Sequence, residues 1–198
     1  DSEKPRIGII STGKSFLDTK LGLEKIGINK EVANDIGIKF LKIAMPWPLE
    51  ETVIEKFAEN LDKIIVVEEK RSIIETQVKE ILFNKNLKVK VIGKKDENSN
   101  DLFVSSGALD PGEIGLKIYE KIKYLKLPED VTNFSMQLKS LTKSTNSNIS
   151  LKRIPHFCSG CPHNTSTRIP EGSRAITGIS CAYLVEHMER DNEGFSQM

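Results

Sequence analysis

The feature that most constrains the fold is an alternation, over residues 1–125, of short runs rich in β-branched residues with longer amphipathic stretches. The runs are Ile7–Ile10, Ile38–Ile43, Ile64–Val67 and Val89–Ile92. Short apolar runs of this kind predict strands that are buried on both faces, and the stretches between them predict crossover helices. The sequence therefore predicts an α/β domain with a Rossmann-like βαβ parallel sheet.

Three segments carry helix-start signals, in which a polar cap or a proline precedes an amphipathic stretch. The start residues are Pro48, Glu50 and Glu51; Ser72 and Glu75, which match a capping box; and Asp110, Pro111 and Glu113. Apolar residues at helical spacing predict the buried faces of the first two helices: Val53, Ile54, Phe57, Ala58 and Leu61; and Ile74, Val78, Ile81 and Leu82. The third helix is predicted to run to about Tyr124.

The composition changes twice after the predicted sheet domain. Residues 126–153 are rich in Ser, Asn, Thr and Lys with few apolar positions, so they are predicted to form a mobile linker. From Ile154 onward Pro, Gly, Cys and His follow one another closely, and no further strand–helix series is completed before Met198. The predicted organisation is an α/β domain over 1–125, a linker over 126–153 and an incomplete second domain over 154–198.

Charge and hydropathy argue against two classes of partner. The chain has 29 basic and 28 acidic side chains, a formal net charge of +1, so no strong field would attract nucleic acid or an anionic membrane. No apolar run reaches the roughly 18 residues that span a bilayer. Residues Asp1–Arg6 contain neither a signal-peptide core nor a starting Met. We expect a soluble, cytoplasmic chain that is part of a longer polypeptide.

Residues Gly8–Ser15 match the G-x-x-x-x-G-K-S/T pattern of a phosphate-binding P-loop. In a true P-loop all four intervening residues lie in the loop, where their amides surround the phosphates. Here Ile9 and Ile10 have the character of a strand end, which leaves only Ser11–Gly13 for the turn. We interpret the segment as a strand–turn–helix junction that does not bind nucleotides.

Two other segments follow predicted strands, at the edge where ligands of open α/β sheets collect. Glu68–Arg71 is interpreted as a solvated charge run at a strand–helix junction. Met45–Pro48 places two prolines around an indole, which predicts a rigid surface loop used either for domain docking or for local packing.

The cysteines carry the strongest chemical signal. The three in the chain, Cys158, Cys161 and Cys181, crowd into its last quarter, which favours metal or cluster ligation in a reducing compartment over a disulfide framework. A C-x-x-C turn lets two thiolates reach one metal or cluster, and Gly160 allows the backbone to bend. His163 would complete a Cys₃His zinc site, whereas a 4Fe–4S cluster needs a fourth cysteine from elsewhere. Three ordinary thiols are the remaining alternative.

Several stretches, in the same order as in the family, resemble the single-chain indolepyruvate ferredoxin oxidoreductases, in which subunits found separately elsewhere are fused. The stretches are Gly8–Asp18, Met45–Leu49, Val66–Arg71, Gly93–Asp96, Phe157–Thr167 and Pro170–Ser173. The resemblance implies that residues 1–125 are a transketolase-C-like domain. It also implies that residues 154–198 are the N-terminal part of a thiamine-diphosphate-binding domain.

The same resemblance implies the cofactors and partners of the full-length enzyme. Family members decarboxylate an aryl 2-oxoacid oxidatively with thiamine diphosphate and magnesium, pass electrons through 4Fe–4S clusters to ferredoxin, and transfer the acyl group to coenzyme A. Cys158, Cys161 and Cys181 would be three ligands of the cluster next to the thiamine cofactor, with His163 and Asn164 in the same cofactor-binding segment. The remaining domains of the polypeptide and further copies in a homo-oligomer would be the protein partners.

The resemblance also implies that this chain is inactive alone and contains no catalytic residue. The family's catalytic glutamate lies before Asp1, and its Gly-Asp-Gly magnesium motif lies after Met198. One departure is that Ser180 and Ala182 stand where the family has glycine and histidine around Cys181. Two other functional classes stay open at this point: a zinc-stapled interaction module without catalysis, and a nucleotide-binding protein that uses Gly8–Ser15.

Overall fold

The computed structural model describes residues 5–85, 87–144, 154–188 and 195–197. The chain divides into two compact units, residues 1–145, called the sheet unit below, and residues 146–198, called the cysteine unit. In chain order, the described elements of the sheet unit are β1 (Ile7–Thr12), α1 (Gly13–Lys25), α2 (Lys30–Ile36), β2 (Ile38–Ile43), α3 (Glu51–Ala58), β3 (Lys63–Val67), α4 (Ile73–Phe83), β4 (Lys90–Ile92), α5 (Pro111–Ile122) and α6 (Glu129–Ser144).

The four strands form one parallel sheet in the order β2-β1-β3-β4, which confirms the predicted α/β class. The two central strands are buried almost throughout, as expected for strands covered on both faces. Ile9 packs on one face in a core that includes Ile114 and Ile118 of α5. Ile10 packs on the other face in a core with residues of α3 and α4. All four predicted strands are found, with ends that differ by up to two residues.

Two helix starts follow the sequence prediction closely. The Glu50 carboxylate accepts hydrogen bonds from the backbone amides of Thr52 and Val53, and Asp110 Oδ1 accepts from those of Gly112 and Glu113. Because each carboxylate satisfies two amides that have no partner within the helix, both helices begin at the predicted positions. The predicted buried stripe of α3 is wrong at one residue: Val53 is 44% exposed, since it lies beside and not on the face that meets the sheet.

The start of α4 differs from the predicted capping box. Ser72 makes no side-chain cap, and the Glu68 carboxylate instead accepts hydrogen bonds from the amides of Ile73, Ile74 and Glu75 at 2.9–3.0 Å. A carboxylate offers two charged acceptors where a hydroxyl offers a single neutral oxygen, so it satisfies more helix donors. The Glu75 side chain turns away and accepts from the amide of Lys94. The interpretation of Glu68 as part of a solvated run is therefore wrong.

Most of the predicted linker is a helix. Residues Glu129–Ser144 form α6, which packs against α5 and α1. Val131 is 1% exposed, and the ring of Phe134 covers Gly27, where a Cβ would come within 2.8 Å of it. Val131 and Leu138 pack in or against the core, whereas Met136 and Leu141 are exposed, so a few apolar contacts outweigh a composition typical of linkers. The sheet unit therefore continues to Ser144; residues 145–153 of the predicted linker lie outside the described residues.

The cysteine unit is small in its described part. It contains α7 (His163–Ser166), β5 (Ala175–Thr177), a 3₁₀ helix (Ser180–His187) and β6 (Phe195–Gln197), with β5 and β6 paired in parallel. Phe157 and Val185 are its buried apolar side chains in the described residues. No described helix in either unit is long and apolar enough to cross a membrane.

Candidate functional site

The junction between β1 and α1 lacks the loop that a phosphate would need. β1 runs through Thr12, and α1 begins at the next residue, Gly13, whose φ is +51°. The amides that a P-loop would point at a ligand are therefore paired in the sheet. A Cβ on Gly8 would come within 2.6 Å of the Leu61 side chain, so this glycine permits the close packing of the segment after α3.

Lys14, the lysine of the P-loop-like pattern, is engaged by carboxylates. Its ammonium donates to Asp18 and lies 3.6 Å from Glu69 Oε1. The hydrogen bond to Asp18 is the main reason that the pKa of Lys14 is raised. Two carboxylates beside the ammonium would repel a phosphate, so the geometry disfavours a nucleotide site.

The charged residues after β3 fasten loops at the carboxyl edge of the sheet. Lys70 Nζ donates to the carbonyl of Gly107 at 3.1 Å, and Glu69 accepts a hydrogen bond from the amide of Leu109 at 3.4 Å. The ammonium of Lys94 donates to the carbonyl of Glu68, and desolvation lowers the pKa of this lysine. These contacts give the edge charges a structural role in the described residues.

The Met45–Pro48 segment is a surface loop anchored by a buried amide. Gln77 Nε2 donates to the carbonyl of Pro46 at 2.8 Å, and Gln77 Oε1 accepts from the amide of Leu49 at 2.9 Å. Trp47 is 69% exposed, so its indole is presented outward from an anchored loop. Sequence patterns did not single out Gln77, because its position on α4 carries no signal of which loop it will meet.

The C-x-x-C segment forms the expected turn. The amide of Cys161 donates to the carbonyl of Cys158 at 3.0 Å, and Gly160 adopts a φ of +75°, which favours glycine. Asn164 Nδ2 donates to the same Cys158 carbonyl at 3.1 Å, which ties the start of α7 to the turn. Cys158 is exposed and Cys161 partly exposed, and both are free thiols. The turn thus offers two accessible sulfur donors.

His163 lies against this turn. Its Nδ1 is 3.2 Å from Cys161 Sγ, and its ring stacks on Phe157 with 5.3 Å between ring centroids. Because Phe157 is buried, the stack restrains the orientation of the imidazole. The structure therefore brings together four of the five predicted site residues: Cys158, Cys161, His163 and Asn164.

Cys181 belongs to a different element, the 3₁₀ helix, where it is exposed. Among the described residues, no group of three or more Cys, His, Asp or Glu is arranged to hold a metal ion. The preceding Ser180 has a φ of +71°, a left-handed conformation that costs a residue with a side chain roughly 1–2 kcal/mol. Glycine adopts this conformation without that cost, which explains why the family resemblance implies a glycine at position 180. The two sulfur donors of the C-x-x-C turn, Cys158 and Cys161, fit two ligand positions of a soft metal ion or an iron–sulfur cluster.

The fold and the site together define a parallel α/β domain followed by a unit that carries an accessible two-thiol turn. A family model described as "Indolepyruvate oxidoreductase domain" matches residues 1–146, which coincides with the sheet unit. The chain belongs to the indolepyruvate oxidoreductase family, as the sequence resemblance predicted.

Curated relatives agree with this family. The indolepyruvate oxidoreductase subunit IorA of Thermococcus kodakarensis is 26% identical over 187 residues, which cover 92% of this chain and 26% of the relative. The subunit of the same name from Pyrococcus horikoshii is 33% identical over 92 residues, 46% of this chain and 13% of the relative. The chain thus spans about a quarter or less of the length of these relatives.

Two solved structures show a weaker likeness. A 2-oxoglutarate:ferredoxin oxidoreductase from Magnetococcus marinus aligns with a TM-score of 0.42 and 16% identity, over 62% of this chain and 18% of that chain. A split-gene transketolase, described as an inactive beta4 tetramer, aligns with a TM-score of 0.41 and 15% identity, over 62% of this chain and 40% of that chain.

Proposed function

We propose that this chain is a section of a 2-oxoacid:ferredoxin oxidoreductase that decarboxylates indolepyruvate or a related aryl 2-oxoacid. The observation that carries the proposal is the family match over the whole sheet unit, together with relatives named as indolepyruvate oxidoreductase subunits. Thiamine diphosphate with magnesium, when bound, supplies the chemistry for decarboxylation. The acyl group passes to coenzyme A and the electrons to ferredoxin, in a cytoplasmic homo-oligomer that the remaining domains complete.

In this proposal the sheet unit is the transketolase-C-like domain and has a supporting role. Its carboxyl edge, where an α/β domain would hold a ligand, is occupied by loops that Glu68, Lys70 and Lys94 fasten. No side chain of the unit is assigned to the reaction. The chain alone is therefore expected to be inactive, and residues 154–198 begin the domain that binds thiamine diphosphate.

The cysteine unit would contribute to electron transfer. Cys158 and Cys161 present two accessible thiols on one turn, and thiolates are the ligands that iron–sulfur clusters use. Cys181 would be the third ligand of a 4Fe–4S cluster. Since the chain has no other cysteine, a fourth ligand would come from elsewhere in the protein. His163 and Asn164 act as positioning residues. The His163 imidazole lies against the Cys161 sulfur, and the Asn164 amide donates a hydrogen bond to the Cys158 carbonyl.

The test uses the full-length enzyme prepared without oxygen. Cys158→Ser and Cys161→Ser should each lower iron and sulfide content and ferredoxin reduction, while the decarboxylation half-reaction is less affected. Ser159→Ala, in the same exposed turn, is the matched control and should keep its iron. Zinc in place of iron in the unaltered protein would instead support a zinc-stapled module. Unchanged iron and electron transfer in both cysteine variants would leave these residues as structural thiols.

A further inference from the structure

The strand β2 leaves one backbone edge of the sheet without a partner. In the part of the chain that the structure describes, β2 pairs only with β1, and it is the outermost strand on its side. It offers six residues, Ile38–Ile43, and its middle residues are partly exposed, whereas the central strands are buried. Unpaired amides and carbonyls on such a strand are a template for a further strand.

A cleft of about 450 Å³ runs beside this edge, between α1, α2 and β2, and is called the edge cleft below. Its apolar lining includes Phe16, Leu23, Ile28, Ile38 and Phe40. The rings of Phe16 and Phe40 meet edge to face, with 5.4 Å between centroids. Because alternate side chains of an added strand would point to this side of the sheet, the cleft has room for the apolar ones.

The rim of the edge cleft is cationic. Three lysines line it, Lys20, Lys30 and Lys42, against a single carboxylate, Glu24. Lys20 and Lys42 both lie over the Phe16 ring, with Nζ 5.9 and 5.1 Å from its centroid. No carboxylate oxygen of the described residues lies within 4.0 Å of these three ammoniums, whereas Lys14 and Lys63 each have such a partner. The positive charges of these three lysines at the rim of the edge cleft thus have no ion-pair partner among the described residues.

We propose that the edge cleft is a docking surface for an extended acidic segment of another polypeptide, which adds a strand to β2. Backbone pairing along β2 would hold the segment, apolar side chains would enter the cleft, and carboxylates would meet Lys20 and Lys42. A second copy of this chain fits poorly, since pairing two β2 strands would bring the lysines of both copies together. Lysines on an edge strand discourage self-pairing and at the same time select a partner of opposite charge.

The probe is a synthetic peptide of about eight residues that alternates glutamate with valine, long enough to pair with all of β2. Binding of the labelled peptide to the full chain is followed by fluorescence anisotropy, and amide exchange in β2 by mass spectrometry. Three comparisons are made: the double variant Lys20→Glu with Lys42→Glu, the control Lys56→Glu on α3, and a peptide N-methylated at alternate amides. Lys56 is exposed on a helix that packs on the other face of the sheet.

The expected result is saturable binding with slower amide exchange in β2. Affinity should fall about tenfold or more in the double variant and with the N-methylated peptide, and stay unchanged in Lys56→Glu. Circular dichroism checks that the double variant is folded, and Lys42→Gln replaces it if it is not. Absent binding, equal affinity in all variants, or protection of β2 by self-association without peptide would each overturn the proposal.

Discussion

Gly22 of α1 and Gly115 of α5 lie face to face where the two helices cross. A Cβ on Gly115 would meet the carbonyl oxygen of Gly22 closer than any real Cβ contact, and a Cβ on Gly22 would meet the carbonyl oxygen of Pro111 in the same way. Both obstructing atoms belong to backbone, so no side chain can move aside. The absence of side chains at these two positions sets the distance between the helices.

Gly115→Ala should therefore destabilise the protein by about 2–3 kcal/mol, because the strain of overpacking exceeds the roughly 1 kcal/mol that alanine gains over glycine within a helix. Urea unfolding followed by circular dichroism measures this free energy. Leu21→Ala, next to Gly22 on an exposed position of α1, is the control and should change it little. A Gly115→Ala variant as stable as the unaltered protein would show that α1 and α5 separate freely.

Removing the carboxylate that begins α4 should be costly. Glu68→Ala is expected to lower the free energy of unfolding by about 2 kcal/mol, since it leaves three helix amides without their buried acceptor. Ser72→Ala, at the position that the sequence pattern favoured, should be nearly neutral. The same urea experiment compares the two, and a larger loss at Ser72 would contradict the capping geometry.

A charge network between the sheet and α5 should make stability sensitive to acid. Lys121 Nζ lies 2.8 Å from Asp96 and 3.2 Å from Glu97, and Lys63 Nζ lies 2.6 Å from Glu97. The hydrogen bond from Lys121 is the main cause that lowers the pKa of Asp96. Desolvation acts to raise the pKa of Glu97, but hydrogen bonds with Lys63, with its own backbone amide and with Lys121 outweigh it and lower the pKa to about 2.

A depressed carboxyl pKa contributes stability above the unfolded values, about 3.9 for Asp and 4.3 for Glu, and that stability is lost as the pH falls toward the folded values. The free energy of unfolding should thus drop between about pH 5 and pH 2. Lys121→Met should be less stable than the unaltered protein at pH 7, and the difference should shrink across this window. Lys95→Met, which removes an exposed ammonium 3.8 Å from Asp101, is the control. A constant difference at all pH values would exclude the network as its source.

The chain should bind neither ATP nor GTP appreciably, because β1 continues to Thr12 and leaves no loop of free amides. Isothermal titration with magnesium and each nucleotide should show no saturable heat. Lys14→Ala should leave this result unchanged, since Lys14 is held by Asp18 and Glu69. Tight magnesium-dependent binding that disappears in the variant would reverse the interpretation of Gly8–Ser15.

The packing of α6 predicts that this helix stabilises the sheet unit. Val131→Ala should cost about 1–2 kcal/mol of unfolding free energy, because it removes buried apolar surface. Met136→Ala, on an exposed position of the same helix, should cost much less. Equal and negligible effects of both changes would mean that residues 129–144 behave as the linker that their composition suggested.

Local signals in the sequence were sufficient for the sheet and for two helix starts. β-branched runs such as Ile64–Val67 specify buried strands wherever they fall, and the acidic caps Glu50 and Asp110 act on amides only two or three residues away. The C-x-x-C turn was predictable for the same reason, since Cys158 and Cys161 are joined by a single turn. The family resemblance also rested on contiguous stretches and was confirmed.

Contacts outside the reach of the local patterns decided the rest. Glu68, and not Ser72, caps α4 because its carboxylate folds back over five to seven residues, farther than the capping-box pattern reaches. The segment that contains Val131 is helical because it packs against α5 and α1. The sequence by itself determined the parallel α/β class, the cysteine turn and the family. Only the tertiary structure decided the cap of α4, the extent of the sheet unit and the exposed edge of β2, because each depends on which elements become neighbours in space.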